Sequence, residues 1–520
     1  MAYQFGAWAP DVAGVNNGVL VEARNVLPNV AGYMPIPGLS AYSSNALAEK
    51  CLGAISVKTS AGGWVVFVGT ATKLYREVNG VLTDYTRLAG GAYSATDSDK
   101  WSFANFGQYV IAVNPNDDAQ VIDVDAGTAN FSALGGSPPR ARYVFAIKDF
   151  LCLAGLTSDP RAVRNSDINA PTTWTVGTGL CDEQTLPSGG RITGAVGGEF
   201  GYILSERAIR RMTFQPGLAP AFSIEVIDEN KGCASGYGVV AVGASCFFPS
   251  DNGFYQVVGN QVIPIGANYV NEWFDTNSDG SRVFEVQGFL HPHDPIVGWA
   301  FYSSDTDTNY TRLLFYNWAP EVTARWSYAI TEVQYITNHA TSGTTLEGLD
   351  AYMPSGIDVA TTSFDSRIWE GGRPALLAFD ADGYLSFFDG AVPLTAIIQT
   401  NTIQVNPGYR SKNFTIRPIG ELLGAGLTLR VGKREHTGDL FTYTGVITAG
   451  ESSGAFRCRA SGAYHTVELT LDPGFAYLLD TDGAVLLDTD GSPMVDDDSD
   501  GLRWTLIQGL DIQATTDGRK

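Results

Sequence analysis

The chain has 520 residues, with 33 Lys and Arg against 55 Asp and Glu, a formal net charge of −22 and a pI near 4.5. That excess argues against a protein that grips nucleic acid through counterion release, and a hydrophobic fraction of 44% rules out a wholly disordered chain. Fifty-nine glycines, with 23 Tyr, 26 Phe and 10 Trp, predict many short strands joined by tight turns.

Residues 1–50 carry Pro28, Pro35 and Pro37 and few apolar runs, and read as an extended arm packed on other surfaces. The opening MAYQFGAWAPDVAG lacks the basic start and the ~7–15-residue apolar run of a signal peptide. No apolar stretch approaches the ~20 residues needed to span a bilayer. Synthesis in a reducing cytoplasm, without export by the usual signal and without a membrane span, is therefore expected. The six cysteines Cys51, Cys152, Cys181, Cys233, Cys246 and Cys458 lie far apart, with no CxxC pair. They read as buried free thiols rather than a disulfide framework or zinc site.

From Trp64 onward a short apolar strand recurs, each time followed by a turn and a second strand. The first elements start at Trp64 (WVVFVG), Tyr109 (YVIAVN), Phe150 (FLCLAG), Phe200 (FGYILS), Ser245 (SCFFPS), Gly298 (GWAFYS) and Ala375 (ALLAFD). Their spacings of 45, 41, 50, 45, 53 and 77 residues suit propeller blades of about 40–50 residues. Four-stranded sheets bury both faces only by stacking around an axis, which also leaves few exposed edges. Residues 51–390 are thus expected to form a β-propeller of six or seven blades, with an insertion at 331–372. Helical periodicity is weak throughout, the best stretch lying near Ala46–Lys50. After Gly390, segments such as TNTIQV, NFTIRPIG, GLTLRVGKR and YHTVELTL alternate apolar and polar residues. That period of two predicts a separate β-sandwich-like domain over 391–520.

Catalytic patterns are scarce. The five histidines are His291, His293, His339, His436 and His465; the pair in His291–Asp294 has no third histidine nearby and reads as an inter-strand loop. No GxSxG elbow, P-loop or dinucleotide fingerprint follows a strand. No catalytic residue, cofactor site or metal site is nominated. Asp275–Gly280 matches the first half of an EF-hand loop, but the twelfth position is Val286 instead of a bidentate Glu; an Asx-rich turn is the alternative. A tandem acidic pattern places Asp480 and Asp482, then Asp488 and Asp490, in two DxDG units, followed by Asp496, Asp497, Asp498 and Asp500. It reads either as acidic hairpins or as a calcium site.

Several segments, taken in order, resemble the tail nozzle or tail tubular protein B family of short-tailed bacteriophages, related to packaged-DNA stabilisation hub proteins. They are Arg24–Pro28 with Gly32–Pro35, then Trp101–Asn114, Asn165–Trp174, Gly197–Glu206 and Ser250–Tyr255, with weaker likeness at Tyr464–His465 and Trp504–Gly509. The region 472–500 matches nothing in that family. The resemblance implies a propeller-based virion protein, made in the bacterial cytoplasm and assembled into the distal part of a tail. It implies a homo-oligomeric ring, six subunits being the family expectation, contacting tail adaptor and tail fibre proteins. Such a ring retains packaged DNA and later lets the duplex pass without specific binding. The acidic residues from Asp480 to Asp500 are then candidates for the lumen, where like charge keeps a duplex off the wall. Tyr33, Trp174 and Tyr352, on the arm and on the long loops 156–190 and 331–372, are candidate interface anchors. A glycan-binding tail adhesin and a glycan-cleaving enzyme with carboxylates in the propeller channel are the competing readings.

Overall fold

The computed structural model describes residues 2–339, except 61, 128 and 219, and residues 375–519, except 423–425, 450–453 and 473–503. Strands dominate because short apolar runs alternate with turn residues that accept left-handed backbone. Asn79-Gly80 is one such turn, with φ of 52° and 75°; it joins Leu74–Val78 to Val81–Asp84 as a tight hairpin requires.

Seven four-stranded antiparallel blades follow in chain order. The first five are separate sheets spanning 53–84, 102–133, 141–185, 192–228 and 240–264. Blade 6 begins with Gln287–Leu290, Ile296–Phe301 and Tyr310–Asn317, and takes the first half of the long strand Trp326–His339 as its outer member. The second half of that strand is the inner member of blade 7, pairing Val333–His339 with Ala375–Asp380. Leu385–Pro393 comes next, and the outer position is filled by Pro37–Ala41 from the other end of the chain. A strand from the N-terminus thus completes the last blade, and blade 7 packs on blade 1 through Leu377 and Phe379 against Val66 and Val68.

The apolar runs are the second strand of each blade, one place out from the axis, where a strand is covered on both faces. Successive residues then divide between two inter-blade layers, as side chains of a strand must. Val65 and Phe67 face blade 2, while Val66 and Val68 face blade 7. Val110 and Ala112 face blade 1, while Ile111 and Val113 face blade 3. Leu151 and Leu153 look back to blade 2, and Phe150 and Cys152 look on to blade 4. The same division repeats at Tyr202–Leu204, Cys246–Phe248, Ile296–Phe301 and Leu376–Phe379.

The C-terminal strands form a β-sandwich. One sheet holds Ala396–Thr400, Tyr464–Asp472 and Gly426–Arg434; the other holds Trp504–Arg519, Tyr409–Leu422 and Phe456–Gly462. Ile398, Leu429, Val467 and Leu469 meet Phe414, Ile416, Ile507 and Ile512 between them.

Residues 1–50 are more than a packed arm. Leu20–Arg24 pairs with Ala396–Thr400 in the first sheet. Ala2–Gln4 and Gly32–Pro35 pair with Trp504–Arg519 in the second. Pro37–Ala41 then runs on into blade 7. One segment therefore laces sandwich to propeller, and the core is continuous: Trp8, Leu20 and Tyr33 share a cluster with Phe254, Trp299 and Trp326.

Several details depart from the sequence reading. Residues 331–339, placed in an insertion, continue the strand Trp326–His339, while 340–372 lies outside the described residues. The stretch 156–190 is not one unbroken loop: Ala162–Asn165 and Asp182–Thr185 within it are the outer half of blade 3. Helical periodicity is weak throughout the sequence, yet among the described residues one α-helix forms, Asn271–Asn277. Its polar composition, with Trp273 and Phe274 turned to the core, hid it from a search for a broad apolar stripe.

Candidate functional site

In a four-stranded antiparallel blade, the connection into the first strand and the turn between the second and third strands lie on the same face. At that face the connections into blades 1, 2, 3, 5 and 6, with the second turn of blade 6, converge on the axis. These connections, with the strand ends at Arg142 and Tyr310, bring together Lys50, Asp97, Asp99, Lys100, Arg142, Tyr237, Arg282, Glu285, Tyr302 and Tyr310.

Lys100 is the centre of the group and only 2% exposed. From the entrance to blade 2 it reaches blade 6, three blades away, and donates to the Glu285 carbonyl at 2.7 Å and to the Tyr310 hydroxyl. Tyr310 in turn donates to the same Glu285 carbonyl at 2.8 Å. Tyr237, from the connection into blade 5, donates to the Lys100 carbonyl at 3.2 Å, and its ring lies 5.5 Å from the ammonium. Around this centre Lys50 pairs with Asp97 at 2.7 Å and donates to Tyr302 at 2.9 Å. Arg142 pairs with Asp99 at 2.7 Å, and Arg282 with Glu285 at 2.7 Å. The Arg282 guanidinium also lies 3.4 Å from the centre of the Tyr302 ring.

Burial pulls the Lys100 ammonium down to about 7, with Glu285 opposing, because charge is poorly solvated there. Burial also raises the Tyr310 and Tyr237 phenols. For Lys50, burial acts downward, but Tyr302 and Asp97 outweigh it and hold the amine above its ordinary value.

Below the plug, neighbouring blades are clipped by side chains near the axis. Gln287 of blade 6 donates to the Ile336 carbonyl of blade 7 at 2.6 Å and accepts from its amide at 3.0 Å. Gln334 accepts from the Cys51 amide at 2.9 Å, tying blade 7 to the entrance of blade 1. Ser102 accepts from the Val144 amide at 3.1 Å. Tyr143 donates to the Thr193 carbonyl at 2.8 Å. Ser235 bonds the Phe284 and Val286 carbonyls at 2.8 and 2.7 Å. At this mouth of the propeller, hydrogen bonds thus tie blade to blade among the described residues.

The acidic residues Asp480, Asp482, Asp488, Asp490, Asp496, Asp497, Asp498 and Asp500 lie outside the described residues, as does Tyr352. Tyr33 and Trp174, expected at an interface, are 0% and 2% exposed and fill the core of the chain itself. His291–Asp294 is the turn between the first two strands of blade 6, with the Asp294 amide donating to His291 Nδ1 at 3.0 Å. The half EF-hand pattern is split: Asp275 lies in the helix, and Asp279 caps the 3-10 helix Gly280–Glu285 by accepting from the Ser281 amide at 2.9 Å. Among the described residues no group of three or more His, Cys, Asp or Glu is arranged to hold a metal ion. No helix among them is long and apolar enough to cross a membrane. The axial residues were invisible as a group in the sequence, since they span positions 50 to 310 with no common motif.

No family model matches the chain, and no curated protein does. Among solved structures it is similar to the extracellular domain of a hybrid two-component system from B. thetaiotaomicron, at 10% identity and a TM-score of 0.36, covering 81% of this chain and 47% of that one. This chain thus spans about half of that domain. It is also similar to YCF48 bound to D1 peptide, at 10% identity and TM-score 0.35, covering 58% and 91%. BamB from Moraxella catarrhalis matches at 12% identity and TM-score 0.33, covering 69% and 94%. With all three TM-scores this low, the propeller assignment rests on the strand pairing itself.

Proposed function

We propose that this chain is a structural virion protein of a phage tail nozzle or hub, acting as a ring of identical copies that retains packaged DNA and conducts it during ejection, with no turnover of its own. The reading starts from the family resemblance of the segments between Arg24 and Tyr255. The observation that carries it further is the bridge from Lys100 to Tyr310. A propeller whose axial mouth is filled by buried side chains is a building block, so a duplex passes between subunits. A ring of this kind needs two different, complementary faces on each subunit. The lacing of propeller to sandwich by residues 2–41 suits a part that must transmit force without coming apart. Net negative charge suits a wall along which DNA slides, because each Lys or Arg contact to phosphate would add friction.

Imaging and mass measurement of the purified protein, and of the particle that carries it, test the assembly. Six-fold rings are the expected result, and a single copy per tail overturns the proposal. The lumen is tested by Asp496→Lys, Asp497→Lys and Asp498→Lys together. Assembly should persist while DNA release slows, more so at low salt where the screening length exceeds the ~8 Å of physiological conditions. Release at the wild-type rate removes the acidic segment from the lumen. Release of reducing ends from host polysaccharide, abolished by one carboxylate-to-amide change, would make the protein an enzyme instead.

A further inference from the structure

Blade 4 carries a cleft that neither the axial cluster nor the ring reading uses. It has a volume of about 510 Å³ and is lined by Ser188, Gly189, Gly190, Glu206, Arg207, Ala208 and Glu229. These belong to the connections before and after blade 4 and to the turn between its second and third strands, so the cleft opens on the same face as the axial cluster. Its size is that of a small-ligand site, commonly about 300–1,000 Å³.

Beneath it lies Arg210, 1% exposed. Its Nη2 donates to Ser188 Oγ at 2.8 Å, while Nη1 has no partner among the described residues. Nη1 faces the underside of Gly189, where an added Cβ would come within 3.0 Å of it and 2.7 Å of the Ala208 Cβ. Gly189 and Gly190 have φ of 94° and 82°, conformations that leave glycine as the residue able to close the loop over the guanidinium. A buried guanidinium without a contacting carboxylate is costly. Glu229 acts on it only at longer range.

The consequence falls on Ser188. Its oxygen already accepts from a cation, so its own proton is polarised and free to donate outward into the cleft. The Gly189 and Gly190 amides donate to no acceptor among the described residues. Arg207 is exposed at the rim. Glu206 lies against Gly190, where an added Cβ would come within 2.2 Å of its Oε2, and pairs with Arg191 at 2.9 Å; Glu229 is exposed and open to accept from hydroxyl groups. Donors at the floor suit an anionic group, and the Glu229 carboxylate beside them suits hydroxyl donors on a ring, which phosphate lacks.

We propose that this cleft binds a hydroxylated carboxylate of the uronic-acid sugar class, the carboxylate resting on Ser188 and the Gly189 amide above Arg210, with Arg207 closing from the rim and Glu229 accepting from ring hydroxyls. The site stands whether or not the subunits form a ring.

Calorimetric titration of the full chain with digalacturonate, cellobiose and inorganic phosphate tests it. Digalacturonate should saturate, cellobiose should not, and phosphate should bind more weakly than digalacturonate. Arg207→Ala should lower digalacturonate affinity about tenfold, the loss of a charge-assisted donor, with thermal unfolding as in the wild type because that side chain is exposed. Ser188→Ala should lower affinity likewise and also lower the unfolding temperature, because Arg210 Nη2 loses its acceptor. Absence of saturable digalacturonate binding overturns the proposal, as does wild-type affinity in both variants. Phosphate bound as tightly as digalacturonate overturns the sugar assignment.

Discussion

The ammonium of Lys100, at the entrance to blade 2, shares the Glu285 carbonyl with the hydroxyl of Tyr310 on blade 6. Two residues more than 200 positions apart thus close the propeller axis across its width. Closure of a ring of blades is normally a matter of the last sheet. Here it is secured twice, by the N-terminal strand in blade 7 and by this bridge.

The bridge has a pH signature. The Lys100 amine sits at about 7 when folded, against 10.5 as its ordinary value. Between those values the unfolded chain binds more protons than the folded one, so this residue's contribution to stability rises with pH from about 7 to about 10.5. Below 7 the full cost of burying the charge remains. Lys100→Met should abolish that rise and leave stability unchanged or increased at pH 6, since Tyr310 keeps its bond to Glu285 and a buried charge is replaced by an apolar chain. Thermal unfolding of both proteins from pH 6 to pH 9 measures it; parallel curves would refute the assignment.

Asn25 is the joint between sandwich and propeller. At φ 58° it donates to the Thr395 carbonyl at 2.8 Å and accepts from the Ile330 amide at 2.9 Å. Asn25→Val removes both bonds and forces a β-branched side chain into left-handed backbone. A loss of about 3 kcal/mol is expected, from roughly 1 kcal/mol per bond and about 1–2 kcal/mol of strain. Because the core is continuous, the wild type should unfold in one calorimetric transition. Two separated transitions would mean that sandwich and propeller are independent.

His465 sets an acid limit. Buried at 1% exposure, with Nε2 3.0 Å from the Ala460 carbonyl and its ring 4.6 Å from Phe414, it is lowered to about 4, chiefly by burial. The unfolded chain protonates near 6.5, so stability is lost as pH falls from about 6.5 to about 4. His465→Phe should flatten that limb while costing about 1 kcal/mol at neutral pH for the unpaired carbonyl. Denaturant unfolding at pH 5 and pH 7.5 separates the two effects.

The thiols should differ in reactivity. Cys51, Cys152, Cys181, Cys233 and Cys246 are buried, and Cys458 is partly exposed. Burial holds Cys458 up to about 11 and Cys51 up to about 12, which suppresses the thiolate that reacts. An aromatic disulfide reagent at pH 8 should modify Cys458 slowly and the others only after denaturation. Fast modification of any second thiol in the native state would show an opening that the packing does not contain.

The sequence by itself determined the ring of blades. A strand covered on both faces must be apolar at every position, and that made seven starts readable, from Trp64 to Ala375, each within two residues of the strand observed. It determined the sandwich strands for the same reason in reverse, since one wet face and one dry face impose alternation, as at Tyr464–Asp472. Only the tertiary structure decided where residues 2–41 go. Pairing of Leu20–Arg24 with Ala396–Thr400, or of Pro37–Ala41 with Leu385–Pro393, is satisfied by backbone groups that every sequence carries, so no local pattern announces the partner. The axial plug and the Arg210 cleft escaped for a related reason. Lys100, Tyr310 and Glu285, like Arg210 and Ser188, gain their chemistry from burial and from neighbours on other connections, and both are properties of the folded chain.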